Sequence, residues 1–115
     1  MTEPLYEYRG TVVRWIDGDT VELTLDLGFH IKFTDHFRLF GIDTPERGRA
    51  GSTAATYRAN ELAPAGSQVI ARTSKSDKDG RWLTIVTEPS GVEVNSTLLA
   101  EGLARLYFGG AKDAG

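Results

Sequence analysis

Thr20-Val21-Glu22-Leu23-Thr24-Leu25-Asp26-Leu27 alternates polar and apolar residues without an error. A period of two over eight positions specifies a strand with one face buried. Gly28 allows a reversal, after which Phe29, Ile31 and Phe33 alternate with His30, Lys32 and Thr34. Upstream, Gly10 to Ile16 is β-branched and aromatic, and Asp17-Gly18 is a hairpin signal. These segments predict a three-stranded meander that continues through Arg38 to Ile42.

Beyond it the period changes. Ala54, Ala55, Tyr57, Arg58, Ala59, Glu61 and Leu62 predict a helix over 52–62, ended by Ala63-Pro64-Ala65-Gly66. Gln68–Ser74 and Arg81–Thr87 read as a fourth and fifth strand, joined by a turn with Asp79-Gly80 chemistry. A second helix is expected from about Asn95 to Leu106, with Leu98, Leu99, Leu103 and Leu106 on one face. Asn95 or Ser96 would cap it, and Glu101 and Arg105 would pair at i,i+4. Three strands, a helix, two strands and a helix is the order of a five-stranded OB-type barrel, a β-rich α+β fold with two helices. Residues 1–8 are expected to be an N-terminal tail, 9–108 the domain, and 109–115 a flexible C-terminal tail.

Composition narrows the class of function. With 115 residues the chain suits one domain with an ordinary core. It has no cysteine, which removes disulfides, thiolate metal sites and thiol nucleophiles. The formal charge of −3 argues against a basic surface for tight non-specific duplex binding. Carboxylates gathered around a cation are counted in that charge without the cation, so metal-assisted chemistry on a nucleic acid stays open. No apolar run approaches the roughly 20 residues of a membrane span. The start Met1-Thr2-Glu3-Pro4 lacks a basic stretch and an apolar core, so the expectation is an intracellular protein. Nothing in the chain demands a dimer, and a monomer is expected.

Three short stretches hold the chemistry. They are Asp17-Gly18-Asp19-Thr20, Arg38 through Glu46, and Asp79-Gly80-Arg81. Asp19 opens one strand and Asp43 closes its neighbour, so pairing brings both carboxylates to one barrel rim. Oxygen donors of this kind suit a hard cation. Val21 stands where an EF-hand loop needs an acidic or amide residue, which excludes that motif. Taken singly, Asp17-Gly18 is an ordinary hairpin turn and Thr44-Pro45-Glu46 an ordinary helix entry. Arg38 and Arg81 can each grip two phosphate oxygens, and a pair suits a phosphorus that gains negative charge. His30 and His36 lie apart from the acidic motifs, and Trp15 and Trp82 are expected to pack.

The set closely resembles the staphylococcal nuclease (thermonuclease) family, from about Arg9 to Tyr107. The matching stretches are Ile16 to Thr20, Arg38 to Glu46, Asp77 to Arg81, and Val94-Asn95 through Gly102-Leu103-Ala104. That resemblance implies Ca²⁺ held by the side chains of Asp19 and Asp43 and the carbonyl of Thr44. It implies Glu46 as general base or orienter of the attacking water, and Arg38 and Arg81 on the scissile phosphate. The implied reaction is hydrolysis of unpaired DNA or RNA to 3′-phosphate and 5′-hydroxyl ends. Lys78 and Tyr107 are the candidate substrate contacts.

The departures are specific. Arg47-Gly48-Arg49-Ala50-Gly51 is shorter than the lysine-rich loop of the secreted members, and the hairpin from Thr20 to Arg38 is longer. Asp79 stands where that type has an aromatic residue, which predicts weaker binding of single strands. The alternative reading is a non-catalytic OB-type module that binds nucleic acid or another partner; a sugar- or peptide-binding barrel is a third. The five charged side chains that inactive relatives usually lose are all present. A small unsecreted nuclease would suit a phage or a cell's own degradation.

Overall fold

The alternation from Thr20 to Leu27 gives the hairpin one apolar face, and the sheet buries it by closing on itself. The computed structural model of the chain describes residues 6–74 and 81–107. Its strands β1 (Tyr6–Asp17), β2 (Thr20–Asp26), β3 (Lys32–Leu39), β5 (Gln68–Ser74) and β6 (Trp82–Thr87) form a closed barrel in the order β1-β2-β3-β6-β5. The pairing is antiparallel except where β3 meets β6 over Phe37–Leu39. The short strands β4 (Ile42–Asp43) and β7 (Arg105–Leu106) pair beside it, and helices α1 (Ser52–Leu62) and α2 (Val94–Ala100) complete the fold. This is the expected five-stranded OB-type barrel with two helices.

The core follows from register. Val21, Leu23 and Leu25 of β2 point inward with Phe37 and Leu39 of β3 and Val69 and Ala71 of β5, all buried. Irregular pairing in β1 after Val12 shifts its phase, so that Val12 and Trp15, three residues apart, are both inside. The Trp15 indole N–H donates to the Ala63 carbonyl at 2.8 Å, which satisfies its one polar atom. Helix α1 buries Ala55 and Ala59, and the small side chain of Ala55 lets the Asp17–Thr20 turn approach closely. A Cβ on Gly18 would lie 2.7 Å from Ala55 Cβ and 3.1 Å from Thr44 Cγ2. Gly18 is therefore required for space, not for a left-handed backbone: the left-handed residues of the hairpin lie at its far tip, Gly28, Phe29 and His30.

Five expectations are corrected. β1 begins at Tyr6 and pairs Tyr6 to Tyr8 with β5, so these residues are strand and not tail. α2 ends at Ala100, six residues before Leu106. Gly102 adopts the left-handed conformation, with Leu103 N–H on the Leu98 carbonyl (3.0 Å) and Gly102 N–H on the Leu99 carbonyl (3.1 Å). Those two bonds make a Schellman stop. The expected Glu101–Arg105 pair consequently does not form: Glu101 bonds Arg58, and Arg105 bonds Asp43. Asn95 does not cap α2, since Glu93 holds that position. It is buried and accepts from Val86 N–H (3.1 Å) while donating to the carbonyls of Phe40 (3.0 Å) and Thr84 (3.1 Å). It thereby ties α2 to β6 and to the turn before β4. Trp82, expected in the core, is 40% exposed.

Candidate active site

Register places the first carboxylate. Thr20 opens β2 opposite Arg38 near the end of β3, and the Leu39 N–H donates to the Asp19 carbonyl at 2.8 Å. Asp19 is held beside the end of β3 by its own backbone. The chain then turns through Phe40 and Gly41 into β4, which ends on Asp43. The Asn95 bond to the Phe40 carbonyl and the Tyr107 N–H on the Gly41 carbonyl (2.8 Å) fix that turn.

Arg38 joins the two carboxylates. Its Nη1 donates to Asp19 Oδ2 at 3.1 Å, and its Nη2 donates to Asp43 Oδ1 at 2.9 Å and the Ile42 carbonyl at 3.1 Å. The side chains of Arg38 and Asp19 are 10% and 7% exposed, so this is a buried ion pair. Asp19 Oδ2 also accepts the Thr44 N–H at 3.0 Å, and Oδ1 accepts the Thr20 hydroxyl at 3.1 Å. Arg105 Nη2 donates to Asp43 Oδ2 at 3.2 Å, and the Tyr107 ring lies 5.2 Å from the Arg38 guanidinium carbon. Burial alone would lower the Arg38 pKa, but the Asp19 and Asp43 charges outweigh it and hold the guanidinium firmly protonated. Burial alone would likewise raise Asp43. Hydrogen bonds from Arg38 and Arg105 outweigh it and hold this carboxyl below the usual carboxylate range.

A cleft of about 460 Å³ opens on Asp43 and Arg105, lined on one side by Asp43, Thr44, Pro45, Glu46 and Arg49 and on the other by Gly102 to Arg105. Glu46 is exposed on it, and its carboxylate accepts no hydrogen bond from the described residues. Arg81 is half-buried directly before β6, whose first residues Trp82 and Leu83 pair with Phe37 and Arg38. Asp19, Arg38, Asp43 and Thr44 are thus in mutual contact, with Glu46 beside them and Arg81 one residue from the β3–β6 ladder. Lys78 lies outside the described residues. Tyr107 covers Arg38. Arg105 and Arg49 were not anticipated as site residues. The signal that reveals Arg105 is Gly102, which stops α2 in time for the chain to turn back as β7.

The donor set suits a hard cation. Thr44 Oγ1 is buried without a hydrogen-bond partner among the described residues, beside the carboxylates of Asp19 and Asp43. No group of three or more His, Asp or Glu side chains gathers among the described residues. Two carboxylates, a carbonyl and water would therefore complete the shell. Such an oxygen-only set fits Ca²⁺ or Mg²⁺ and not the nitrogen- and sulfur-rich shells of zinc. The charges of Asp19, Asp43, Arg38 and Arg105 cancel. A divalent cation would leave the cluster at about +2, which matches the two negative charges of a phosphodiester attacked by hydroxide.

Comparison with known proteins assigns this barrel and its rim to a family. The family model described as Staphylococcal nuclease homologue matches residues 36–114. The chain belongs to the staphylococcal nuclease family. It is 32% identical over 119 residues to a micrococcal nuclease of Shigella flexneri, covering 94% of this chain and 64% of that protein. It is also 32% identical over 116 residues to endonuclease YhcR of Bacillus subtilis (strain 168), covering 89% of this chain and 9% of the relative. The SPbeta prophage-derived endonuclease YokF of the same organism is 34% identical over 106 residues, covering 85% of this chain and 34% of that protein. The chain therefore spans from less than a tenth to about two thirds of these relatives' lengths.

Proposed function

We propose that the protein is a calcium-dependent phosphodiesterase that hydrolyses unpaired DNA or RNA, leaving 3′-phosphate and 5′-hydroxyl ends. The observation that carries this reading is the charge-balanced cluster of Asp19, Asp43, Arg38 and Arg105, of which Asp43 and Arg105 line the cleft that exposes Glu46. Asp19, Asp43 and the Thr44 carbonyl would hold the cation. When bound, it supplies positive charge to a phosphate oxygen and lowers the pKa of a coordinated water.

The chain's own groups do the rest. Glu46, exposed and unencumbered, takes a proton from the attacking water as its oxygen bonds to phosphorus. The bond from phosphorus to the 5′ oxygen breaks, and that oxygen takes a proton from solvent. Arg38 and Arg81 bind the non-bridging oxygens and gain in strength as charge builds there. Arg105 keeps Asp43 ionised. The working unit in this reading is a monomer.

The test is to incubate denatured DNA with the protein in Ca²⁺, in Mg²⁺ and with a chelator. The expected result is cleavage in Ca²⁺ that the chelator abolishes. Binding without cleavage in all three conditions would assign the fold instead to a non-catalytic nucleic-acid-binding module.

A further inference from the structure

The cleft beside Asp43 carries two guanidinium groups beyond those on the scissile phosphate, Arg49 on one wall and Arg105 on the other. Arg49 is presented by a fixed turn. Its N–H donates to the Glu46 carbonyl at 2.9 Å, and its carbonyl accepts the Ser52 N–H at 3.1 Å. Left-handed Gly48 and Gly51 bracket it, and a Cβ on Gly51 would lie 3.3 Å from Pro45 Cγ, so the turn packs on Pro45. Arg47 pins the same turn to β1 by donating to the Ile16 carbonyl at 2.8 Å. Arg49 is exposed, and its guanidinium makes no hydrogen bond or ion pair among the described residues. Glu46 stands on the same wall without pairing with it, so this cation is not spent locally. Arg105 is fixed by the pairing of β7 with β4. One of its five guanidinium N–H donors bonds Asp43, and its side chain is 56% exposed.

We propose that Arg49 and Arg105 form a clamp for the phosphate next to the scissile one on the substrate strand. The inference rests on the phosphodiesterase reading above. Its occupant follows from continuity with the cation seat, because Asp43 and Thr44 line the cleft too, with Glu46. A strand that places one phosphate at that seat runs a neighbouring phosphate along the cleft. None of the described residues that line it is aromatic, so it offers a base nothing to stack on. A guanidinium fork on each wall instead matches the oxygens of a phosphate. Arg105 can bind one without leaving Asp43, since four of its donors are spare. Both cations also offset the repulsion that Glu46 exerts on an incoming strand. Contacts of this kind position a strand without reading its sequence.

The experiment titrates a fluorescein-labelled, single-stranded oligothymidylate onto the full chain in chelator, read by polarisation at several salt concentrations. Each phosphate contact on a single strand contributes about −0.7 to the slope of log K against log salt. Arg49→Met should make the wild-type slope shallower by about 0.7, and Arg49→Lys should restore it. Arg105→Met should have the same effect, and the double variant should lose about 1.4. Arg105 also serves Asp43, so the Arg49 variants decide between a clamp and a counter-ion. Circular dichroism checks that each variant is folded. An Arg49→Met slope equal to wild type would overturn the proposal, as would no detectable wild-type binding at about 50 mM salt. In Ca²⁺, a thymidine trinucleotide with two phosphates should show a higher kcat/KM than the dinucleotide with one. Arg49→Met should bring that ratio toward one. An equal loss on both substrates would assign Arg49 to the scissile phosphate and overturn the clamp. No cleavage of either substrate by wild type would defeat the phosphodiesterase reading, while the salt slope still judges the clamp. Cleavage with an unaltered slope would defeat the clamp and leave that reading standing.

Discussion

Arg38→Met tests the charge-balanced cluster most fully, because it has opposite consequences with and without a cation. The guanidinium makes three hydrogen bonds, to Asp19, Asp43 and the Ile42 carbonyl, with only 10% of its side chain exposed. Removing one partner of a buried ion pair costs about 3–5 kcal/mol, chiefly by leaving the other charge uncompensated. Asp19 keeps the Thr44 N–H and the Thr20 hydroxyl, and Asp43 keeps Arg105, so the lower end, about 3 kcal/mol, applies. With roughly 2.1 cal/mol/K of unfolding entropy per residue, that is a fall in Tm of about 12 °C for this chain. A cation at about one hundred times its Kd returns roughly 2.7 kcal/mol to any protein that binds it only when folded. It returns more to the variant, since the carboxylates no longer share themselves with an arginine. The gap in Tm between variant and wild type should therefore narrow when Ca²⁺ is added. Differential scanning calorimetry with Ca²⁺ and with chelator reads both numbers. A Tm within about 2 °C of wild type in chelator, or a gap that Ca²⁺ leaves unchanged, would refute the reasoning. Turnover should meanwhile fall by about 10² to 10³, the usual loss for a transition-state donor.

Other outcomes follow from single contacts. Glu46→Gln should lower turnover by orders of magnitude with no change in Tm, because Glu46 is exposed; near-wild-type rates would remove it from the mechanism. Gly18→Ala should cost about 1–3 kcal/mol in urea unfolding and weaken Ca²⁺ binding by calorimetry, since its Cβ must displace the turn that carries Asp19. Asn95→Ala should cost about 2–4 kcal/mol, because a buried side chain making three hydrogen bonds is lost and the Val86 N–H loses this acceptor. Arg105→Met should change the acid limb of stability. Asp43 is held below its usual pKa of 3.8, so its contribution is complete above that value and is lost as pH falls through the folded value. Without Arg105 the folded value moves back toward 3.8, and urea midpoints between pH 5 and pH 2.5 should fall less steeply than in wild type. An unchanged slope would show that Arg105 does not control this carboxyl.

The barrel was legible because its signal is local. Alternation from Thr20 to Leu27 and the turn at Asp17-Gly18 specify β2 and its register, and that register alone brings Asp19 to Arg38. What the sequence hid depends on partners distant along the chain. Leu98, Leu99, Leu103 and Leu106 keep a helical period, yet the Gly102 stop and the pairing of β7 with β4 override it. Arg105 and Tyr107 reach the site only through that override. Trp82 occupies an inward phase like any core residue, but it forms the first pair of the β3–β6 ladder, with Phe37, and stays 40% exposed there. Phe29 continues the alternation of the hairpin, yet it is 93% exposed because the hairpin tip extends past the barrel and has nothing to pack on.

The central claim is that this rim carries out metal-assisted hydrolysis at the 5′ side of the phosphate. The most direct measurement is the chemistry of the ends left on a 5′-labelled, single-stranded oligonucleotide after reaction in Ca²⁺. The expected fragments lose the roughly two charges of a terminal phosphate when treated with phosphatase, showing 3′-phosphate termini, and none form in chelator. Fragments unaffected by phosphatase, or cleavage that persists in chelator, would contradict it.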